Sequence, residues 1–149
     1  MDTIPGYTPP VVVGYINYGK VNMWGFDASL TAILDLEWSI DANYSYLGMN
    51  EFLNPITNSM DPINAPRHKM GMKLQYNSRR WPITGSINAR YVDGFKWSSG
   101  IYFGNITPYT LFDVHLGYEF NDFLKANFTI TNLLNHRHTQ IIGGPTIGR

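Results

Sequence analysis

Apolar and polar side chains alternate without interruption in the stretch Trp38-Ser39-Ile40-Asp41-Ala42-Asn43-Tyr44-Ser45-Tyr46. Successive side chains of an extended strand point to opposite faces. This stretch would therefore place its apolar residues on one face and its polar residues on the other. An amphipathic helix would instead repeat its apolar residues every three or four positions. The stretch thus predicts a β-strand with one apolar and one polar face.

The same alternation recurs in five further stretches, at residues 24–32, 69–76, 83–91, 112–120 and 124–131. Strands of about 9–14 residues suit a bilayer, because a tilted membrane strand needs roughly 9–11 residues. They are longer than the mean strand of soluble proteins, which is about 5–6 residues. We therefore predict an all-β chain that forms an antiparallel sheet of about six strands.

The connections between the predicted strands alternate in length. Short turns lie at Asp35-Leu36, Asn77–Trp81 and Asn121–Phe123, whereas Gly48–His68 and Asp93–Pro108 are long. Outer-membrane barrels have short periplasmic turns at one rim and long extracellular loops at the other. The pattern therefore predicts a segment of a transmembrane antiparallel β-barrel, which forms an open sheet because six strands do not close a wide barrel.

Aromatic residues lie near both ends of the predicted strands. Tyr46, Tyr91 and Tyr109 are beside the long connections. Those beside the short turns are Trp38, Tyr76, Tyr118, Phe120 and Phe123. Two such rows are expected where rings sit at the level of the lipid headgroups. Alternation alone does not distinguish a membrane barrel from a soluble β-sandwich or lipocalin-like barrel. However, the polar face, which is rich in Ser, Thr, Asn and Gly, favours the membrane barrel.

The composition excludes several classes of protein. Charged residues make up 15% of the 149 residues, against roughly 25% in soluble domains. The 11 basic residues balance the 11 acidic residues, so no basic surface for nucleic acid is expected. The chain has no cysteine and therefore no disulfide. The start of the sequence does not have the pattern of a signal peptide. Since an outer-membrane protein must be exported, we expect the chain to be a fragment.

Several short motifs follow one another in a defined order along the chain. They are Asn17-Tyr18-Gly19-Lys20-Val21 with Trp24-Gly25-Phe26-Asp27, Asn64-Ala65-Pro66-Arg67-His68-Lys69, Asp113-Val114, Asn132-Leu133-Leu134-Asn135 and Gly143-Gly144-Pro145-Thr146-Ile147-Gly148-Arg149. In this order they resemble the C-terminal part of TonB-dependent outer-membrane receptors. That family has "N-x-P-x-H-K" before a late strand, "N-L-x-N" at a strand end and "G-x-P-x-x-G-R" before the final strand. Asp27 matches the acidic position of its "N-x-G" segment.

The resemblance implies a barrel of about 22 strands in the bacterial outer membrane, with a plug domain in its lumen. Residues 1–149 would be one partial barrel domain of late strands, without the plug and the closing strand. The whole receptor would take up a scarce nutrient such as a ferric siderophore, haem or cobalamin. Its implied partners are outer-membrane lipid, the plug and remaining strands, the nutrient ligand and the TonB complex, which would act through the plug.

The long connections supply the candidate ligand-binding residues in this interpretation. They are Trp97, Tyr102, Asn105, His136, Arg137 and His138. Two histidines spaced two apart lie on one face of a strand, so His136 and His138 are possible metal ligands. We expect them instead to be solvated loop residues, and we predict neither a metal nor a cofactor.

The polar faces of the predicted strands carry the residues that we expect to face the lumen. They are Asp27, Lys73, Arg90, Asp113, His115 and Glu119. Opposite charges on one face of a sheet commonly pair across strands, so most of these residues are expected to be structural. For His115 we expect a hydrogen bond to the plug or the barrel.

An enzymatic function has little support, because the sequence contains no G-x-S-x-G, no paired metal-ligand motif and no phosphate loop. We therefore predict that the chain is not an enzyme. Two alternatives to the receptor remain open. One is another outer-membrane barrel, a porin or an adhesin, and the other is a soluble β-sandwich that binds carbohydrate.

Overall fold

A computed structural model describes residues 20–149, so Asn17, Tyr18 and Gly19 of the first motif lie outside the described residues. Ten β-strands occur in this range. They are β1 (Gly25–Ile33), β2 (Trp38–Leu47), β3 (Glu51–Asn54), β4 (Ser59–Pro62), β5 (His68–Asn77), β6 (Ile83–Val92), β7 (Phe95–Ser99), β8 (Tyr102–Ile106), β9 (Tyr109–Asn121) and β10 (Leu124–Ile130). Between residues 20 and 149 there is no helix long and apolar enough to cross a membrane.

The six longest strands form one antiparallel sheet in the order β1-β2-β5-β6-β9-β10. Each strand therefore pairs with the neighbours that the alternating stretches predicted, and the prediction of an open all-β sheet is confirmed. The main difference in strand bounds is at β9, which begins at Tyr109 instead of Phe112. Its first residues pair with the end of β6, where Val92 is opposite Tyr109.

The register places like residues side by side across the sheet. One row joins Ile40, Leu74, Ile87 and Val114, and the adjacent row joins Asp41, Lys73, Asn88 and Asp113. Because a shift by one residue would exchange the two faces, this register keeps the apolar row on one face and the polar row on the other.

No part of residues 20–149 forms a second layer over the apolar face. Leu30, Met72 and Ile87 are 65%, 51% and 51% exposed. Among residues 20–149, the only buried hydrophobic residues are Ile106 and Leu111. A soluble sandwich would bury such a face against a second sheet, because apolar surface is unfavourable in water. The exposed apolar face therefore argues against the soluble alternative and fits a surface that lipid covers.

Side chains stabilise the three short turns between the long strands. The Asp35 carboxylate accepts hydrogen bonds from the backbone N–H groups of Glu37 and Trp38, at 2.7 and 2.8 Å. The Asn121 side chain accepts in the same way from Phe123 and Leu124. Such side-chain bonds are typical of Asp and Asn in turns. We call the end of the sheet where the strands are joined by these turns the turn rim, and the opposite end the hairpin rim.

The two long connections contain β-hairpins, which the sequence pattern did not predict. Residues 48–67 contain the hairpin β3–β4, and residues 93–108 contain the hairpin β7–β8. Asn58 and Gly100, with φ angles of 53° and 61°, supply the left-handed turn positions of the two hairpins. One strand of each hairpin, β3 or β8, does not alternate apolar and polar residues, so the sequence pattern missed the hairpins.

Aromatic side chains pack in pairs at both ends of the apolar face. Trp38 and Tyr76 lie 4.7 Å apart at the turn rim, and Trp24 and Tyr46 lie 5.4 Å apart at the hairpin rim, between ring centroids. Tyr109 does not belong to these rows. It is three residues before Phe112, so alternation places it on the polar face, where it pairs with Val92.

Candidate ligand-binding rim

Three segments meet at the hairpin rim. They are the hairpin β3–β4, the hairpin β7–β8 and residues 131–149, which we call the terminal segment. The chain order explains the grouping, since every second connection of an antiparallel meander returns to the same edge of the sheet. These segments contain all six candidate ligand residues from the sequence.

The side chain of Asn64 joins the two hairpins. Its amide oxygen accepts a hydrogen bond from the backbone N–H of Ser98, and its amide nitrogen donates one to the carbonyl oxygen of Ser98, both at 2.8 Å. Asn64 has a φ of 60°, a left-handed conformation that Asn adopts more readily than most residues. Sequence reasoning placed Asn64 in a motif but did not predict this contact.

A second link between the hairpins is an ion pair. The ammonium of Lys96, on β7, lies 3.0 Å from the carboxylate of Glu51, on β3. The side chain of Glu51 is only 21% exposed, whereas the side chain of Lys96 is 58% exposed. Neither residue was among the sequence candidates. Nothing in the sequence pairs them, because they are 45 positions apart.

An open groove of about 260 Å³ lies between the two hairpins. Its walls are Asn50, Glu51, Gly94, Phe95, Lys96, Asn105 and Ile106. Asn105 is the one sequence candidate that lines this groove. Because both hairpins contribute walls, the groove exists only while the hairpins stay together.

Trp97 and Tyr102 have a different environment from Asn105. Trp97 is opposite Gly104 in the β7–β8 hairpin. The side chain of Ile142 covers Gly104 so closely that a Cβ atom added at Gly104 would lie 3.3 Å from it. Tyr102 lies against Gly143, where a Cβ would approach its ring to 2.8 Å. Both aromatic residues are therefore on the side of the hairpin that faces the terminal segment.

Asparagine side chains hold the terminal segment in a compact turn. Asn132, which is buried with a φ of 49°, accepts from the His136 N–H at 2.9 Å and donates to the His136 carbonyl at 3.0 Å. Asn135 accepts from the backbone N–H of Arg149 at 2.9 Å. The matched "N-L-x-N" residues thus fold the "G-x-P-x-x-G-R" residues back toward the strand end.

The histidines of the terminal segment are not equivalent, which corrects the expectation that both are solvated. His136 is exposed, as is Arg137. His138 is only 4% exposed, because its ring packs on Tyr109 at a centroid distance of 4.3 Å. Its Nδ1 lies 3.2 Å from the His136 carbonyl oxygen and its Nε2 lies 3.3 Å from the Gln140 amide nitrogen. In the described part of the chain, no group of three or more His, Cys, Asp or Glu residues is arranged to hold a metal.

All six candidates for lumen-facing residues lie on the polar face, and four of them have partners there. Asp113 pairs with Arg90 at 3.2 Å, and Glu119 pairs with Lys125 at 2.6 Å. Nδ1 of His115 is 2.9 Å from the hydroxyl oxygen of Thr129. Asp27 and Lys73 form no ion pair with any residue of the range 20–149.

Asp113 connects the sheet to the terminal segment. One carboxylate oxygen accepts from the backbone N–H of Asn132 at 2.9 Å. The other accepts from Arg90 at 3.2 Å and from the Asn88 amide at 3.3 Å. A carboxylate that accepts from two side chains of the neighbouring strand β6 and from the turn at Asn132 positions the terminal segment on the sheet.

Comparisons with known proteins agree with this geometry. A model of the family described as TonB dependent receptor-like, beta-barrel matches residues 2–133. The fold is similar to a variant of the ferric enterobactin receptor of Pseudomonas aeruginosa, with a TM-score of 0.62 and 16% identity over 77% of this chain. It is also similar to the closed form of the ferric-catecholate import receptor of E. coli K12, with a TM-score of 0.63 and 20% identity over 80% of this chain.

The matched region is a small part of those receptors. It spans 17% of the first chain and 18% of the second. No curated protein matches the sequence significantly. At these identities, the likeness to the two solved structures concerns the fold.

Proposed function

We propose, since the chain belongs to the family of TonB dependent receptor-like β-barrels, that it forms wall and outer loops of a receptor for ferric siderophores. This family comprises transporters and receptors rather than enzymes. In this proposal the chain lies in the bacterial outer membrane, as part of a larger barrel. The TonB complex supplies the energy for uptake through a plug domain.

The observation that carries the proposal is the sheet with one apolar, uncovered face and one polar face. Met72 and Ile87 are half exposed on the first face, whereas Asp113 and Arg90 pair on the second. Contact between an apolar surface and lipid is favourable, whereas exposure of the same surface to water is not. A polar lumen suits a barrel that holds a plug or a channel. The aromatic pairs at both rims support the same orientation, with rings at the two headgroup levels.

The two rims differ in the way that the proposal requires. We assign the turn rim to the periplasm and the hairpin rim to the cell exterior, because long connections of outer-membrane barrels are extracellular. The ligand would then meet the groove between the hairpins and the exposed residues His136 and Arg137. On the polar face, Asp27 and Lys73 would face the plug.

The substrate class is proposed from the printed names of the similar structures, which are receptors for ferric enterobactin and ferric catecholates. Both named ligands are iron chelates that need recognition outside the cell. Haem and cobalamin remain the competing nutrients. A porin would have no dependence on cellular energy, which gives a clear experimental distinction.

The test is uptake of iron-55 as ferric enterobactin by cells that carry the intact gene and by a deletion strain. We expect uptake only in the intact strain, and we expect a protonophore to abolish it. Radiolabelled cobalamin and haem are the controls for substrate class. Uptake that persists with the protonophore would contradict energised transport. Uptake of haem or cobalamin alone would contradict the siderophore class.

A further inference from the structure

We propose that Asn64 is a positioning residue that holds the two rim hairpins together as one preformed unit, with the groove between them already open in the free protein. The proposal rests on the proposed function, in which the hairpin rim captures the ligand. The proposal goes beyond that function because the family membership assigns no role to this contact.

The side-chain amide of Asn64 acts as a peptide group toward Ser98. It both donates and accepts, as a residue of a neighbouring strand would, at 2.8 Å in each direction. The two partners are 34 residues apart, so the bonds close a long loop between the hairpins. Two neutral hydrogen bonds with such geometry change an equilibrium by about tenfold or more.

The position of Asn64 makes the link rigid. It follows the base of the first hairpin, where the Ile63 N–H donates to the Asn50 carbonyl at 2.8 Å. The guanidinium of Arg67 donates to the Asn50 side chain at 3.2 Å. Ser98, by contrast, lies next to the tip of the second hairpin. Asn64 therefore ties the base of one hairpin to the distal part of the other.

The groove depends on this arrangement. Asn50 and Glu51 come from the first hairpin, and Lys96 and Asn105 come from the second. The ion pair between Lys96 and Glu51 also crosses the groove, but one of its partners is mainly exposed. Exposed ion pairs contribute little and weaken in salt. The two bonds between Asn64 and Ser98 are also exposed, but they are neutral, and as a donor and acceptor pair they fix the relative orientation of the hairpins. A preformed groove avoids the ordering cost of two independent loops when a ligand binds.

The experiment uses the receptor extracted from its outer membrane in mild detergent, with spin labels on I56C and I101C. The chain has no native cysteine, and both positions are exposed near the hairpin tips. We expect a narrow distance distribution in the unsubstituted protein without ligand. Asn64→Ala should broaden this distance distribution, and the same substitution should weaken the binding of ferric enterobactin about tenfold.

Asn58→Ala is the matched control. Asn58 has a φ of 53°, close to the 60° of Asn64, so alanine is equally strained at both positions. Asn58 makes no side-chain hydrogen bond to the second hairpin in the described residues, and its substitution should leave the distance distribution unchanged. Asn64→Asp keeps the acceptor for the Ser98 N–H and loses the donor, so it should give an intermediate width.

An unchanged distribution in Asn64→Ala would overturn the proposal. A broadened distribution with unchanged affinity for ferric enterobactin would overturn the positioning role, since the link would then not serve capture. If the unsubstituted receptor does not bind ferric enterobactin, the substrate class of the proposed function fails. The distance measurement still decides whether Asn64 joins the hairpins.

Discussion

The six-stranded sheet and the hairpin rim are stabilised in different ways. In the sheet, every long strand pairs over seven or more residues, and the backbone hydrogen bonds repeat along it. At the rim, single side chains carry the contacts: Asn64 between the hairpins, Asp113 below the terminal segment, and His138 against Tyr109. A sheet therefore tolerates many changes that preserve its faces, whereas one substitution can release a rim segment.

The first prediction concerns the apolar face of the sheet and has the largest expected effect. Ile87→Arg places a charge in the central row of this face, which should cost about 2–4 kcal/mol near the middle of the bilayer. We expect loss of assembled receptor from the outer membrane, measured by heat-modifiable mobility on gels. Ser86→Arg, one residue earlier on the polar face, is the control. Equal assembly of both variants would show that lipid does not cover the apolar face.

The second prediction concerns the link between sheet and terminal segment. Asp113→Ala removes the acceptor of Asn132, Arg90 and Asn88 and leaves an unpaired arginine. We expect the free energy that holds the terminal segment on the sheet to fall by about 2 kcal/mol, since hydrogen bonds to charged groups are stronger than neutral ones. Hydrogen exchange should accelerate in residues 132–149 while β2 and β5 remain protected.

Asp122→Ala is the control for this substitution, because Asp122 is an exposed residue of the turn rim. It should leave the exchange of the terminal segment unchanged. Equal exchange in the two variants would mean that Asp113 does not hold the segment.

The third prediction separates strain from contact within the rim. Gly143 has a φ of 89° and a Cβ there would meet the Tyr102 ring at 2.8 Å, whereas Gly100 has a φ of 61° and open space around it. Both alanine variants should be destabilised by about 1–2 kcal/mol, because a residue with a Cβ is strained in the left-handed conformation. Only Gly143→Ala should also displace Tyr102, which would appear as greater protease sensitivity of residues 139–146. Similar sensitivity in both variants would contradict the packing of the terminal segment on β8.

The smallest effect is expected at an exposed ion pair of the sheet. Lys125 and Glu119 lie 2.6 Å apart, and both side chains are more than half exposed. Lys125→Gln should lower the free energy of unfolding by about 0.5 kcal/mol or less, because exposed pairs contribute little. Urea unfolding in detergent at low and high salt measures this. A loss several times larger would mean that the polar face is shielded from water.

The sequence located the long strands because the alternation that identifies a strand lies within a few consecutive residues. The alternation in residues 38–46 and 83–91 identifies both the strand and its faces, and antiparallel neighbours follow from the short turns. It failed for Tyr109, because the start of β9 was placed three residues late. It also missed the hairpins β3–β4 and β7–β8, because β3 and β8 do not alternate apolar and polar residues.

The contacts at the hairpin rim join residues that are far apart in the sequence, so local patterns do not predict them. The motif that contains Asn64 is one of several whose order resembles the family, but the contact with Ser98 joins residues 34 positions apart. The burial of His138 likewise depends on Tyr109, which lies on another strand. Such contacts arise only when the sheet has brought the connections to one edge.

The sequence by itself determined the long strands, their two faces, the alternation of short and long connections and the family to which the chain belongs. These properties follow from the two-residue period of a strand and from the chemistry of turns, both of which act over a few residues. The tertiary structure alone decided which rim residues meet, that the long connections are hairpins joined at Asn64, and that His138 is buried. The physical reason is that these contacts are long-range and depend on the positions to which the paired strands bring their ends.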